Sequence, residues 1–156
     1  MTLSTDINKQ QLLEISHSCL DYNLRKASRI AAQHYEDILK PSGLRNTQFT
    51  LLVAATLMDK PLITDLARIL VMDRTTVSRN IKPLERDGLL QIVPGQDKRS
   101  RQIVLTHLGC QKLIEAIPLW RQAHQTLQEK LGVDNEQGLL AALDNFNKQL
   151  NQQAGV

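Results

Sequence analysis

The chain has 156 residues, a formal net charge of +3 and only 3% aromatic residues, so it can build one core, and that core must be mostly Leu, Ile, Val and Ala. Two cysteines, Cys19 and Cys110, are too few for a disulfide framework and lack metal-ligand spacing, and the four histidines show no such spacing either. No apolar run reaches the ~18 residues of a membrane span, and residues 1–10 lack the layout of a signal peptide, so a cytoplasmic location without membrane contact is expected.

Residues 8–39 read as one long helix. Leu13, His17, Leu20, Leu24, Ala27, Ala31, Tyr35 and Ile38 recur at steps of three and four, with no Pro or Gly between them. Pro41 and Gly43 end it. A seam of that length is either a core face or a subunit interface. A second helix is expected from about Thr47 to Met58, with Asn46 as its N-cap and Phe49, Leu52, Val53 and Leu57 inward. After the break at Asp59-Lys60-Pro61, a short helix covers Ile63 to Leu70, burying Leu66, Ala67 and Leu70. A fourth helix runs from Arg74 to about Asp87, capped by Asp73 and stopped by Gly88.

The period then changes from helix to strand. Leu90 and Ile92 alternate, a polar loop spans 94–100, and Ile103 and Leu105 alternate again, which reads as a hairpin with a basic tip. A second long helix begins near Thr106. Its stripe is Cys110, Leu113, Ile117, Trp120, His124, Leu127 and Leu131, with Pro118 inside it as an expected kink. Gly132 closes that helix, and a last one carries Leu139, Leu143, Phe146 and Leu150. The expected fold class is mainly α with a small β-hairpin.

Two short helices joined by a tight turn and followed by a hairpin describe a winged helix-turn-helix. At 100° per residue, Val77, Ile81 and Leu84 share one side of the fourth helix, while Thr75, Arg79, Lys82 and Arg86 share the other, flanked by Thr76 and Ser78. Hydroxyls and cations on one helix face can donate to base edges and phosphates in a major groove. Any amphipathic surface helix has a solvated charged face; here the surrounding elements favour DNA. Residues 68–101 hold eight Lys/Arg against four acids, a local net of +4 in a chain whose total is +3. That concentration is the footprint of a phosphate-backbone partner. In the hairpin, Lys98, Arg99 and Arg101 place cations near a slender tip suited to a minor groove, with Asp97 close enough to steady one guanidinium. Pro83 removes one hydrogen bond inside the fourth helix, so a kink or an early end is expected there.

The run LARILVMDRTTVSRNIKPLERDGLL followed by DKRSRQIVLTHLG resembles the MarR (multiple antibiotic resistance regulator) family of bacterial transcription factors. The family's wing pattern is matched at Asp97, Arg99, Leu105, Thr106 and Gly109. The resemblance is strong over about residues 62–109 and looser elsewhere. It implies a homodimer, with 1–45 and 107–156 as a helical dimerisation domain and 46–106 as the winged DNA-binding domain. It implies a repressor that reads a pseudo-palindromic operator in double-stranded DNA and releases it when a small-molecule effector or an oxidant acts. The recognition helix is then 74–87, with Arg74, Thr75, Thr76, Ser78, Arg79, Lys82 and Arg86, and the wing is 94–101.

Family ligand pockets lie between the dimerisation helices and the winged lobe, where Cys19, Tyr22, Phe49, Trp120 and His124 are the candidates. Each has a plainer role as core or interface. Some relatives sense organic hydroperoxides with a first-helix cysteine seven residues before a Ser-Arg pair. Here Cys19 lies nine residues before Ser28-Arg29. That offset turns the thiol by about 200° around a helix. That departs from the subfamily's pattern; a redox-sensing repressor switched at Cys19 is one alternative, and a winged-helix protein-interaction module is another. No phosphate loop, nucleophile elbow or paired-acid motif points to an enzyme, and no cofactor is implied.

Overall fold

A computed structural model describes residues 7–95, 97 and 100–151. The chain divides into two compact units, Met1–His34 and Tyr35–Val156.

The first unit corrects the expectation of one helix over 8–39. Helix α1 spans Lys9–Ser18 and α2 spans Leu20–Leu39, with Cys19 extended between them at φ −70° and ψ 113°. The break leaves carbonyls at the end of α1 without helical partners. The Asn23 carboxamide answers them, donating from Nδ2 to the Cys19 carbonyl at 2.9 Å and lying 3.3 Å from that of Ser16. No residue of α1 is buried.

In the second unit, α2 ends in a 3-10 turn at Lys40–Ser42, and Gly43 closes the turn in the left-handed region. The buried Ser42 hydroxyl donates to the Leu39 carbonyl at 2.7 Å and accepts the Leu44 N–H at 3.2 Å. Helix α3 spans Asn46–Leu57, and its cap position is Arg45, not the expected Asn46. The acceptors for its first N–H groups come from both sides of the cap in sequence. Gln48 Oε1 takes the Arg45 N–H at 2.9 Å, and Glu36 takes that of Asn46 at 2.6 Å. Phe49, Leu51, Leu52 and Ala55 are buried, whereas Leu57, expected inward, is 81% exposed. On a helical wheel the four buried residues fan over about 160°, and Leu57 falls outside that arc.

Helix α4 covers Ile63–Ile69 and α5 covers Arg74–Arg86, running through Pro83 instead of ending there. Both stop in the same way. After α5, Gly88 N–H bonds the Glu85 carbonyl and Leu89 N–H bonds that of Leu84. After α4, Val71 N–H bonds the Arg68 carbonyl and Met72 N–H bonds that of Ala67. This pair of bonds requires a left-handed residue at the first position past the cap. Gly88 supplies it at φ 72°, and Val71 is held there at φ 51°.

Strands β1 (Leu90–Pro94) and β2 (Arg101–Leu105) pair antiparallel, with Leu90 opposite Leu105 and Ile92 opposite Ile103. The other edge of β2 meets the segment before α4, where Ile103 N–H donates to the Pro61 carbonyl at 2.9 Å. Helix α6 spans His107–Leu131 and continues through Pro118. Its N-cap Thr106 accepts the Gly109 N–H and donates its hydroxyl proton to the Gly88 carbonyl. A Cβ at Gly109 would lie 1.8 Å from the Leu89 carbonyl oxygen, so only glycine lets α6 start against β1. The residues of α6 buried within the chain are Gly109, Leu113, Ala116 and Ala123. This face is turned slightly from the heptad stripe, leaving Cys110 exposed. Helix α7 spans Val133–Asn151. The core itself collects Leu39, Phe49, Leu52, Leu66, Val77, Ile81, Leu84, Leu90 and Ile103, from α2 through β2. Among the described residues no helix is long and apolar enough to cross a membrane.

Candidate nucleic-acid interface

The candidate interface is built on α5. Asp73 caps it, accepting the Thr76 N–H at 2.8 Å. The Thr76 hydroxyl also donates to the second Asp73 oxygen, and these bonds hold the Asp73 carboxyl below its usual range. Its hydroxyl proton spent on the cap, Thr76 keeps a methyl group and lone pairs to offer elsewhere. Val77, Ile81 and Leu84 are buried and fix the helix to the core. Arg74, Thr75, Arg79, Lys82 and Arg86 are exposed, and Ser78 and Thr76 are half-buried at the margins. The division into an anchored face and a polar face therefore stands as the sequence pattern implied.

The hairpin brings a further group to the start of α5. Arg101 from β2 and Arg74 from α5 line one cleft of about 240 Å³ with Asp97, Ser100 and Thr64. The Ser100 hydroxyl donates to the Asp97 carbonyl at 2.7 Å, tightening the turn. Lys98 and Arg99, both expected at the wing tip, lie outside the described residues. Thr64 carries no charge and lies outside the basic run, so nothing in the sequence singles it out. Only the approach of β2 to the start of α4 places it beside Arg101.

The five ligand candidates separate. Cys19 and Tyr22 lie in the first unit, lining a cavity of about 410 Å³ with Arg25, Lys26 and Arg29. Phe49 is 7% exposed and belongs to the core. Trp120 and His124 stack on each other along α6, with centroids 5.3 Å apart and planes within 4°. His124 Nδ1 lies 3.3 Å from Oε1 of Glu136, a carboxylate on α7 that is only 8% exposed. Glu136 also accepts from Gln128 Nε2. Burial, and then the charge of Glu136, push the Tyr35 hydroxyl above its usual pKa. His124 is thus engaged as a link between α6 and α7. Glu136 was missed because a lone acid in a helical run reads as solvated surface.

A capped helix with one anchored and one cationic face, set in a helix-turn-helix and followed by a hairpin, defines a winged helix-turn-helix DNA-binding protein. No family model matches the chain. Individual proteins do. The chain is 30% identical over 87 residues to an uncharacterized HTH-type transcriptional regulator, YwoH, of Bacillus subtilis (strain 168), a match covering 56% of this chain and 64% of that protein. This chain thus spans just under two thirds of that relative's length. The M. tuberculosis transcriptional regulator MosR, solved in complex with DNA, is 32% identical at a TM-score of 0.77, covering 86% of this chain and 98% of MosR. The transcriptional repressor CouR, solved on a 23-mer DNA duplex, is 26% identical at a TM-score of 0.76, covering 91% of this chain and 99% of CouR. CouR has also been solved bound to p-coumaroyl-CoA. The chain belongs to the MarR family of transcriptional regulators.

Proposed function

We propose that this protein is a homodimeric repressor of transcription. It reads a pseudo-palindromic operator with the recognition helix 74–87 in the major groove and the wing 94–101 in the minor groove, and a small molecule releases it. The observation that carries this reading is the exposed face of α5, where Arg74, Thr75, Arg79, Lys82 and Arg86 stand on a helix locked to the core by Val77, Ile81 and Leu84. The DNA complexes of MosR and CouR support the partner, and the p-coumaroyl-CoA complex of CouR supports an effector. Two lobes of a dimer, one helical turn apart, match two half-sites.

The test is a selection of bound sequences from random duplexes, followed by titration of the selected duplex from 50 to 200 mM salt. Binding is expected to fall steeply as salt rises. Arg79→Ala is expected to lose discrimination between the selected duplex and a scrambled one, by about tenfold or more for a lost base contact. An Arg79→Ala protein with unchanged discrimination would remove α5 from the reading, and a wild-type protein without DNA affinity would leave the protein-interaction module. Peroxide added to wild type and Cys19→Ser separates the triggers. Release of the wild type alone would replace the small molecule by oxidation of Cys19.

A further inference from the structure

A second cleft flanks α5 at its other end. It measures about 460 Å³ and lies between the start of α3, with Arg45, Thr47 and Gln48, and the later turns of α5, with Asn80, Arg86 and Asp87. On the helical wheel Asn80, Pro83 and Asp87 fall between the polar face and the buried face, so the cleft borders the face that carries Arg79 and Lys82. Arg86 Nε donates to Asp87 at 2.9 Å, which orients the guanidinium, and its terminal nitrogens have no hydrogen-bond partner among the described residues. The Arg45 backbone N–H is taken by Gln48, and its exposed side chain forms no ion pair among the described residues. Two guanidinium groups and one carboxylate leave the cleft with a net positive charge.

We infer that this cleft seats a backbone phosphate of the bound duplex, with Arg45 and Arg86 as its cations and Gln48 and Asn80 as neutral donors. The inference rests on the DNA reading of α5. A helix lying in a groove ~12 Å wide has a phosphate backbone along each side. The Arg74–Arg101 cleft serves the beginning of α5, and the Arg45–Arg86 cleft serves its end. Phosphate contacts on both sides fix the depth and register of the helix without reading sequence. Arg45 lies well outside the basic run 68–101, so charge counting along the chain passes over it.

The experiment uses the full chain and the selected duplex, with affinity measured from 50 to 200 mM salt. Each neutralised phosphate contributes about 0.9 to the slope of log affinity against log salt, or roughly eightfold in affinity at 0.1 M. Arg45→Ala and Arg45→Gln are each expected to lose that amount per chain, with thermal melting confirming that they fold. Arg45→Lys is expected to restore the slope. Lys148→Ala, which removes an exposed cation paired with Asp144 on α7, is the control expected to change nothing. If Arg45→Ala matches Lys148→Ala while wild type keeps its steep salt dependence, the seat is refuted and the α5 reading survives. If wild type shows no salt-dependent binding, the DNA reading itself fails. Inorganic phosphate at constant ionic strength provides the last arm. Displacement of DNA from wild type but not from Arg45→Ala is expected, and phosphate that raises the melting temperature of wild type but not of Arg45→Ala without displacing DNA would assign the cleft to a free anion and overturn the inference.

Discussion

The winged elements and the terminal helices handle apolar surface in opposite ways. From α3 to β2 most large apolar side chains close on one another, with Leu52, Val77, Leu84 and Ile103 fully buried and Leu57, Ile69 and Val71 left exposed. In α1 nothing is buried, and in α7 the buried residue is the carboxylate Glu136, while Leu139, Leu140 and Leu150 remain about half exposed. The winged region encloses a core, to which neither α1 nor α7 contributes a residue. Exposed leucines at helical spacing, such as Leu139, Leu140 and Leu150 on α7, are the kind of apolar surface that interaction sites use. This contrast is the structural support for the proposed dimer, with recognition on one region and assembly on the other.

The largest effect expected comes from changing the terminal helices alone. Leu139→Glu together with Leu150→Glu puts charges on one face of α7. The winged region should melt nearly as before, because neither side chain belongs to its core. Sedimentation should show half the wild-type mass. Affinity for the selected duplex should drop on the order of 100-fold, since the second lobe no longer binds at high effective concentration. Unchanged mass would mean that this face of α7 does not join two chains.

The complementary change breaks the winged region. Gly109→Ala forces a methyl group into the Leu89 carbonyl, where backbone meets backbone and no flexible side chain can give way. The expected cost is about 3 kcal/mol, the upper part of the usual range for overpacking. Urea unfolding followed by circular dichroism measures it. A loss below about 0.5 kcal/mol, the level of an ordinary surface change, would show that α6 can start further from β1.

These two regions also differed in how far the sequence disclosed them. Helix α5 was legible because each cue is local: Asp73 before the first turn, an apolar side at 77, 81 and 84, and Gly88 at the end. The hairpin was legible from alternation at 90–92 and 103–105. The break at Cys19 was not, because neither Pro nor Gly marks it and the bonds that satisfy it come from Asn23 in the next helix. The cap of α3 was misassigned because its acceptor, Glu36, lies ten residues away. The same holds for the interface. The cations of α5 follow from periodicity, but Thr64 and Arg45 gain their place only when separate segments meet.

The smallest expected effect sharpens the comparison inside the winged region, where one motif is used twice with different residues. Gly88 takes the left-handed position after α5 without steric cost, and Val71 takes it after α4 against a branched Cβ. A β-branched residue held in that conformation costs about 1–3 kcal/mol. Val71 recovers little by packing, being 75% exposed. Glycine would relieve the strain but give back roughly 0.5–1 kcal/mol through the entropy of the unfolded chain. Val71→Gly should therefore stabilise the fold by about 1 kcal/mol, seen as a higher urea midpoint with an unchanged m-value. The turn joins α4 to the cap of α5, so the same variant tests whether strain there serves recognition. Greater stability with unchanged affinity for the selected duplex would mark Val71 as tolerated strain. Greater stability with weaker binding would show that the strained turn holds α5 in the orientation the groove requires.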